Sequence, residues 1–202
     1  MSLTYSTYEK ISDHYLENPF PAYKNCVHFI NNLPPGSLLL DIGCGSGRHL
    51  GINKTLSSIG LDYSINNCFN IKKDKYSVVR GDALELPFKD NSIDHVICIQ
   101  VLHHIETQKD RIKSLKEIAR VLSPGGTAYI TVWSMYQPNK TIEKQDNLIK
   151  WDLSDKYGTE LVRFFHYFEF GEFEEIAKNI ANIEFLGEKI EDGRLETILV
   201  KI

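Results

Sequence analysis

Asp41-Ile42-Gly43-Cys44-Gly45-Ser46-Gly47 sets three glycines at every second position, behind an acid and directly after the apolar run Leu38-Leu39-Leu40. Glycine lets a backbone turn with positive φ and come close to a ligand. The G-x-G-x-G spacing differs from the dinucleotide G-x-G-x-x-G, and no G-K-S/T follows, so neither a pyrophosphate nor a triphosphate cradle is indicated. A plain strand-to-helix turn needs one or two glycines, not three and an acid. Asp41, Gly43, Cys44, Gly45 and Gly47 are therefore candidate ligand contacts. Asp62 ends the next apolar run, SIGLDYS, with Tyr63 beside it. A carboxylate there can accept both hydroxyls of a ribose, although a lone Asp in such a place more often caps a helix. Gly81-Asp82-Ala83 closes a third run, where an acceptor side chain and backbone amides would meet an adenine edge; a simple turn is the competing reading. Gln100-Val101-Leu102-His103-His104 follows a fourth and should line the mouth of the same pocket.

Such residues converge only if strands and helices alternate. Strands are read at Leu38 onward, Ser58 to Leu61, Ser77 to Arg80, Ile93 to Ile99 and Thr127 to Trp133. Their apolar character on both faces suits a parallel sheet covered by helices. Helical spacing runs through residues 21 to 33, and Gln108 to Leu122 carries one apolar stripe of Ile112, Leu115, Ile118, Ala119 and Leu122. Residues after Trp133 read as irregular to about Gly158, followed by the aromatic segment RFFHYFEF, a helix over Glu172 to Ile180, and strands over Ile183 to Ile190 and Leu195 to Ile202. Asp192-Gly193, a dipeptide favoured in tight hairpins, joins that last pair. The expected fold is α/β: a doubly wound, Rossmann-like sandwich on a seven-stranded, mostly parallel sheet with a C-terminal antiparallel hairpin. One domain fills residues 1–202. Its parts are an N-terminal helical segment (1–35), a cofactor-binding core (36–133), a substrate-side insertion (134–170) and a C-terminal helix and hairpin (171–202).

The composition is that of a folded globular domain: 202 residues, 42% hydrophobic, 25% charged. That excludes collagen-like, disordered and disulfide-scaffold classes. The four cysteines form no C-x-x-C pair, so neither a redox dithiol nor a structural zinc site is indicated, and free thiols point to a reducing compartment. No apolar run reaches the roughly 18 residues of a membrane helix, so cytosol, or nucleus, is expected and no membrane partner. The net charge of -4 is unevenly spread. Residues 1–150 carry 17 Lys+Arg against 15 Asp+Glu, and 151–202 carry 6 against 12, so a near-neutral body bears an acidic tail.

The four strand ends, in this order, resemble the class I S-adenosylmethionine-dependent methyltransferases over residues 38–133. The segments GCGSGRHLGIN, SIGLDYS, VVRGDALELPF, VLHHI, LSPGGTAYITVW, EKQDNLIKW and RFFHYFEFGEFEE narrow this. Together they resemble the eukaryotic tRNA wobble-uridine carboxymethyl methyltransferases, the AlkB-homologue-8-type domain. In that family G-K/R-x-L-G-x-N follows the glycine loop, V-x-H-H follows strand four, and R-Y-Y-H-x-Y precedes the last helix. Two departures fall on the nucleic-acid side: Asn18 to Tyr23 replaces the family's T-R-x-K-P-W, and Ser134 to Glu160 is shorter than the family's insertion.

The resemblance implies S-adenosylmethionine as cofactor and the carboxylate of 5-carboxymethyluridine, in the tRNA anticodon loop, as methyl acceptor. The cofactor contacts it implies are Asp41, Gly43, Cys44, Gly45, Gly47, Asp62, Tyr63, Asp82, Ala83 and Gln100. A carboxylic acid of pKa about 4 is already ionised at neutral pH, so it needs alignment and a cationic partner rather than a base. Arg163 can supply a bidentate partner, His103, His104 and His166 could add donors, and Trp133 could stack on the base. Plainer roles stand beside these. Arg163 could pair with tail acids, the aromatics of 164–170 read first as core, and at most one of His103 and His104 is expected to touch substrate. The basic run of Lys109, Arg111, Lys113, Lys116 and Arg120 reads as the solvated face of its helix. The family also works with a small zinc-binding activator subunit that extends the sheet beside its third strand, making Tyr76, Val78 and Val79 candidate contacts. Two rival functions use the same core: a methyltransferase for a lipid, quinone or free acid, and a non-catalytic partner protein.

Overall fold

The computed structural model describes residues 3–17, 20–71, 76–151, 156 and 160–202. Three short helices open the chain, α1 (Leu3–Lys10), α2 (Ser12–Glu17) and α3 (Lys24–Asn31). Then come β1 (Leu38–Ile42), β2 (Ser57–Asp62), α4 (Ile65–Asn70), β3 (Ser77–Arg80), β4 (Ile93–Ile99), a 3-10 turn (Leu102–His104) and α5 (Gln108–Val121). The chain continues through β5 (Leu122–Trp133), β6 (Tyr136–Gln137), β7 (Lys140–Thr141), β8 (Asp146–Trp151), β9 (Leu161–His166), α6 (Glu172–Ala177), β10 (Ile183–Glu191) and β11 (Arg194–Lys201).

One seven-stranded sheet, in the order β10-β11-β5-β4-β1-β2-β3, forms the centre, parallel except for the pairs made by β11. This is the expected doubly wound sandwich with its terminal hairpin. The period of two along buried strands divides the core between the two faces. Leu40 and Ile42 of β1, with Val96 and Cys98 of β4, join Leu115, Ile118 and Phe173 from α5 and α6. Leu39, Ile97 and Ile99 point the other way, to Cys26 and Ile30 of α3. Asp192 (φ 48°) and Gly193 (φ 75°) both take left-handed conformations, as a two-residue hairpin turn of this sequence requires. Among the described residues no helix is long and apolar enough to cross a membrane.

Within the segment read as irregular, the described residues form strands; 152–155 and 157–159 lie outside the described residues. β8 pairs antiparallel with β9, Ile149 opposite Arg163, as a separate two-stranded sheet, and β6 pairs with β7. Alternation in β8 is real but mixed in chemistry, with Asn147, Ile149 and Trp151 half-buried between exposed Asp146, Leu148 and Lys150. Its partner, ten or more residues downstream, decides its conformation. Upstream of the insertion, Ser123-Pro124-Gly125-Gly126 follows α5 and lies within β5, where the register against β4 shifts.

Candidate active site

β1 is driven inward by its leucines and delivers the chain into the glycine turn at the carboxyl edge of the sheet. Gly43 N and Cys44 N both donate to Leu61 O, at 2.7 and 3.0 Å, fastening the turn to β2. Gly43 sits at φ 69°, and a Cβ there would come 2.3 Å from Val101 Cγ2. Gly43→Ala should therefore combine a left-handed penalty with a clash, costing about 2–4 kcal/mol of stability, read from a denaturant titration. Gly45 differs. Its φ is 53° and a Cβ would meet nothing within 4 Å, so here the missing side chain leaves room for a ligand.

Asp62 ends β2 and ties the turn to the next element. Its Oδ2 accepts from Gly45 N at 2.8 Å, and its Oδ1 from Ser64 N at 2.9 Å and Asn67 Nδ2 at 3.3 Å. Ser64, not Asp62, caps α4 by accepting from Asn67 N. Burial pushes the Asp62 carboxyl up, opposed by these donors. Asp41 is 1% exposed and stands behind the turn rather than in it. Its Oδ2 has no hydrogen bond, His49 Nδ1 lies 3.9 Å away, and burial pushes its carboxyl up to about 8. Gly47 also lies behind, against Ile71.

In front of the turn opens a cavity of about 530 Å³. Of the expected cofactor contacts, Gly43, Cys44, Gly45, Asp62, Tyr63, Asp82, Ala83 and Gln100 line it, while Asp41 and Gly47 do not. Asp82 Oδ1 accepts from Leu84 N at 2.8 Å, which holds its carboxylate at the wall. Gln100 adopts φ 61°, unusual for a residue with a Cβ, and its Oε1 is buried with no hydrogen bond. An orphaned acceptor, an open glycine and two strand-end carboxylates fit a nucleoside bearing hydroxyl and amino donors, as S-adenosylmethionine does. Among the described residues no group of three metal-ligating side chains occurs.

The far wall comes from elements the sequence reading did not join. Thr4, Tyr5 and Tyr8 of α1 line the cavity, and α1 is stitched to β9: Phe164 N donates to Thr4 Oγ1 at 2.9 Å, and Thr7 Oγ1 donates to Val162 O at 2.7 Å. The only available hint was threonines and tyrosines recurring three apart on one short helix.

The histidines separate. His104 lines the cavity. Its Nδ1 must donate to Phe164 O at 2.9 Å, so its Nε2, 2.8 Å from Tyr8 Oη, accepts the tyrosine proton. Burial holds its pKa down to about 4; the Phe164 bond opposes this and the Arg163 charge adds to it. His104 is thus a neutral acceptor, not the donor the sequence reading assigned. His103 is 1% exposed, stacks 4.9 Å from Phe165 and is held well below the usual histidine range by burial. It is core, so of the pair only His104 reaches the site. His166 also departs from expectation: its ring nitrogens lie 2.7 Å from Asp146 Oδ1 and 2.8 Å from Glu172 Oε1, clamping β9 and β8 to α6. Trp133 lies outside the cavity lining, in register with Arg194.

Arg163 stands one residue beyond the wall. Its guanidinium sits 4.0 Å over the Trp151 ring and 5.0 Å from that of Phe165, and Nη1 reaches Tyr8 Oη at 3.5 Å. Its Nε is buried with no hydrogen bond. Among the described residues no tail acid pairs with it; the aromatics instead hold its fork behind Tyr8. Phe165, Tyr167 and Phe168 are buried, as the core reading expected.

At the sheet edge, β3 pairs with β2 alone among the described residues. Tyr76 and Val78 pack inward against Cys44, Leu50 and Ile71, contrary to a contact role for those side chains, whereas Ser77 and Arg80 are exposed. The backbone edge, rather than Tyr76 and Val78, is what β3 offers.

Comparison with known proteins places these features in context. A family described as a methyltransferase domain matches residues 40–130. A probable tRNA methyltransferase 9B of Mus musculus is 38% identical over 148 residues, 73% of this chain and 33% of that protein. The tRNA (carboxymethyluridine(34)-5-O)-methyltransferase of Saccharomyces cerevisiae is 30% identical over 135 residues, 66% of this chain and 48% of that protein. The chain thus spans less than half the length of both relatives. Among solved structures, the CcbJ methyltransferase of Streptomyces caelestis superposes with a TM-score of 0.79 at 15% identity, covering 100% of this chain and 99% of the other. A structure of the Haloferax volcanii Trm112 methyltransferase activator in complex with a methyltransferase gives 0.69 at 21% identity, covering 98% and 95%.

Proposed function

We propose that this chain is an S-adenosylmethionine-dependent methyltransferase that esterifies the carboxylate of 5-carboxymethyluridine at the wobble position of a tRNA anticodon. The observation that carries the substrate is Arg163: a guanidinium braced on Trp151, with a buried Nε that makes no hydrogen bond and an Nη1 that reaches Tyr8 of the cavity wall. Planar forks of this kind recognise carboxylates through two parallel bonds. Relatives carrying the carboxymethyluridine name support the same reading.

When bound, S-adenosylmethionine supplies an electrophilic methyl group on a sulfonium. In this reading Asp62 accepts the ribose hydroxyls, Asp82 and the Ala83 amide meet the adenine edge, and Gln100 Oε1 accepts from a cofactor donor. Arg163 draws the acceptor carboxylate to the cavity wall, its 3.5 Å contact with Tyr8 yielding to shorter charge-assisted bonds. The carboxylate arrives ionised, so no side chain need remove a proton. His104, neutral and accepting, adds no positive charge beside a sulfonium and fixes the Tyr8 ring. Alignment then supplies the rate.

A small activator subunit bound along the main-chain edge of β3 belongs to the same reading, since an unpaired strand edge is a natural docking site. To test it, the chain and the activator are incubated with the cofactor and with tRNA containing carboxymethyluridine, and nucleosides are analysed by mass spectrometry. A gain of one methyl as an alkali-labile ester is expected. Its absence from that nucleoside, with methylation of a free acid or lipid instead, would replace the tRNA reading by the small-molecule one.

A further inference from the structure

Beside the cavity mouth, two arginines from distant parts of the chain converge on one ring. Arg48, from the glycine turn, lies 4.7 Å from the Tyr23 centroid, and Arg194, the first residue of β11, lies 4.6 Å from it. Among the described residues Arg48 makes no hydrogen bond or ion pair. Arg194 Nε is buried without a partner, and its Nη2 reaches only the highly exposed Asp192, at 3.3 Å. Glu191, opposite Arg194, is occupied by Asn25 and by Lys189 at 3.2 Å. Trp133 pairs directly with Arg194 across the antiparallel strands, which puts both side chains on one face of the sheet. The result is an alternation Trp133, Arg194, Tyr23, Arg48 that ends at the cavity, which Arg48 and Phe20 line.

Stacking a guanidinium on a ring leaves its edge N–H groups free, and two such groups near one ring repel unless an anion lies between them. Aromatic faces interleaved with arginines are also the pattern that tracks a single-stranded nucleic-acid backbone. Here the pattern draws on the hairpin turn, since the segment leading to Tyr23, Asn18 to Ala22, has no basic residue.

We infer that Arg48 and Arg194 form a subsite for an RNA phosphate flanking the methylated nucleotide, with Trp133 as the platform for the adjoining base. The inference rests on the tRNA reading and deepens it. It assigns substrate affinity to residues outside the carboxylate site, and it gives Trp133 a neighbouring base rather than the target base.

The test measures binding of an anticodon stem-loop RNA containing 5-carboxymethyluridine, by fluorescence anisotropy across a salt series, using the full chain with its activator. Arg194→Glu should raise the dissociation constant about tenfold at moderate salt, and Arg194→Gln should lower the slope of log affinity against log salt by about one. Arg194→Lys, which keeps the charge but loses the fork and the stacking, should fall between and guards against misfolding of the other two. Trp133→Leu should weaken binding about tenfold with the slope unchanged. Unchanged affinity and slope in the Arg194 variants, while the wild type binds, would overturn the subsite and leave the tRNA reading standing. No RNA binding by the wild type would overturn both. Weaker S-adenosylmethionine binding in Arg48→Gln and Arg194→Gln alike, with RNA affinity intact, would assign the pair to the cofactor and overturn it as well.

Discussion

Asp62→Ala is expected to weaken S-adenosylmethionine binding by about 100-fold or more, because two charge-assisted bonds to a ribose are worth about 1.5–3 kcal/mol each. The same substitution removes the acceptor for Gly45 N, so the turn that shapes the cavity loses its fastening to β2. Isothermal calorimetry at a temperature where the variant is folded reads the first effect, and thermal unfolding without cofactor reads the second. Asp62→Asn separates them. Its single amide oxygen can keep one internal bond but cannot accept both hydroxyls, so most of the stability should return and little of the affinity. Equal cofactor affinity in Asp62→Ala and wild type would remove Asp62 from the ribose.

Arg163→Ala should lower kcat/KM for the carboxymethyluridine-containing tRNA by about 100- to 1,000-fold, the scale of losing a charged partner that both binds and aligns an ionic reactant. Arg163→Lys should recover little. A lysine keeps the charge, but it is a compact ammonium that cannot lie flat over Trp151 or make two parallel bonds to a carboxylate. Steady-state kinetics and cofactor binding together decide the matter. A loss confined to cofactor affinity would place Arg163 in the wrong half of the site, and full rescue by lysine would make it a bulk charge rather than a fork.

The half of the site that could be read from sequence is the half built by backbone constraint. Gly43 needs a left-handed turn against Val101, Asp62 is the last residue of a buried strand, and β3 and β4 have apolar runs bounded by polar residues, so their limits match the structure. The acceptor half rests on contacts between distant positions. Nothing local distinguishes His103 from His104; the 3-10 turn aims one at Phe165 and the other at Tyr8. Thr4 and Thr7 are polar residues that the fold buries, and only β9, more than 150 residues on, shows why. His166 carries ring nitrogens as chemically able as those of His104, yet Asp146 and Glu172 occupy both. Residue type told which groups could act, while long-range pairing decided which ones face the cavity.

The stitching of α1 to β9 has a further consequence for how the molecule is made. The bond from Phe164 N to Thr4 Oγ1 spans 160 residues of sequence, whereas β1, β2, β3 and β4 all lie within residues 38–99. On the ribosome the glycine turn and the Asp62 latch can form while β9 is still unsynthesised, and α1 must wait for a strand more than 150 residues further on. Contacts of such separation close slowly and late. The nascent chain therefore completes its nucleoside cradle well before it owns a wall against which an acceptor can be held.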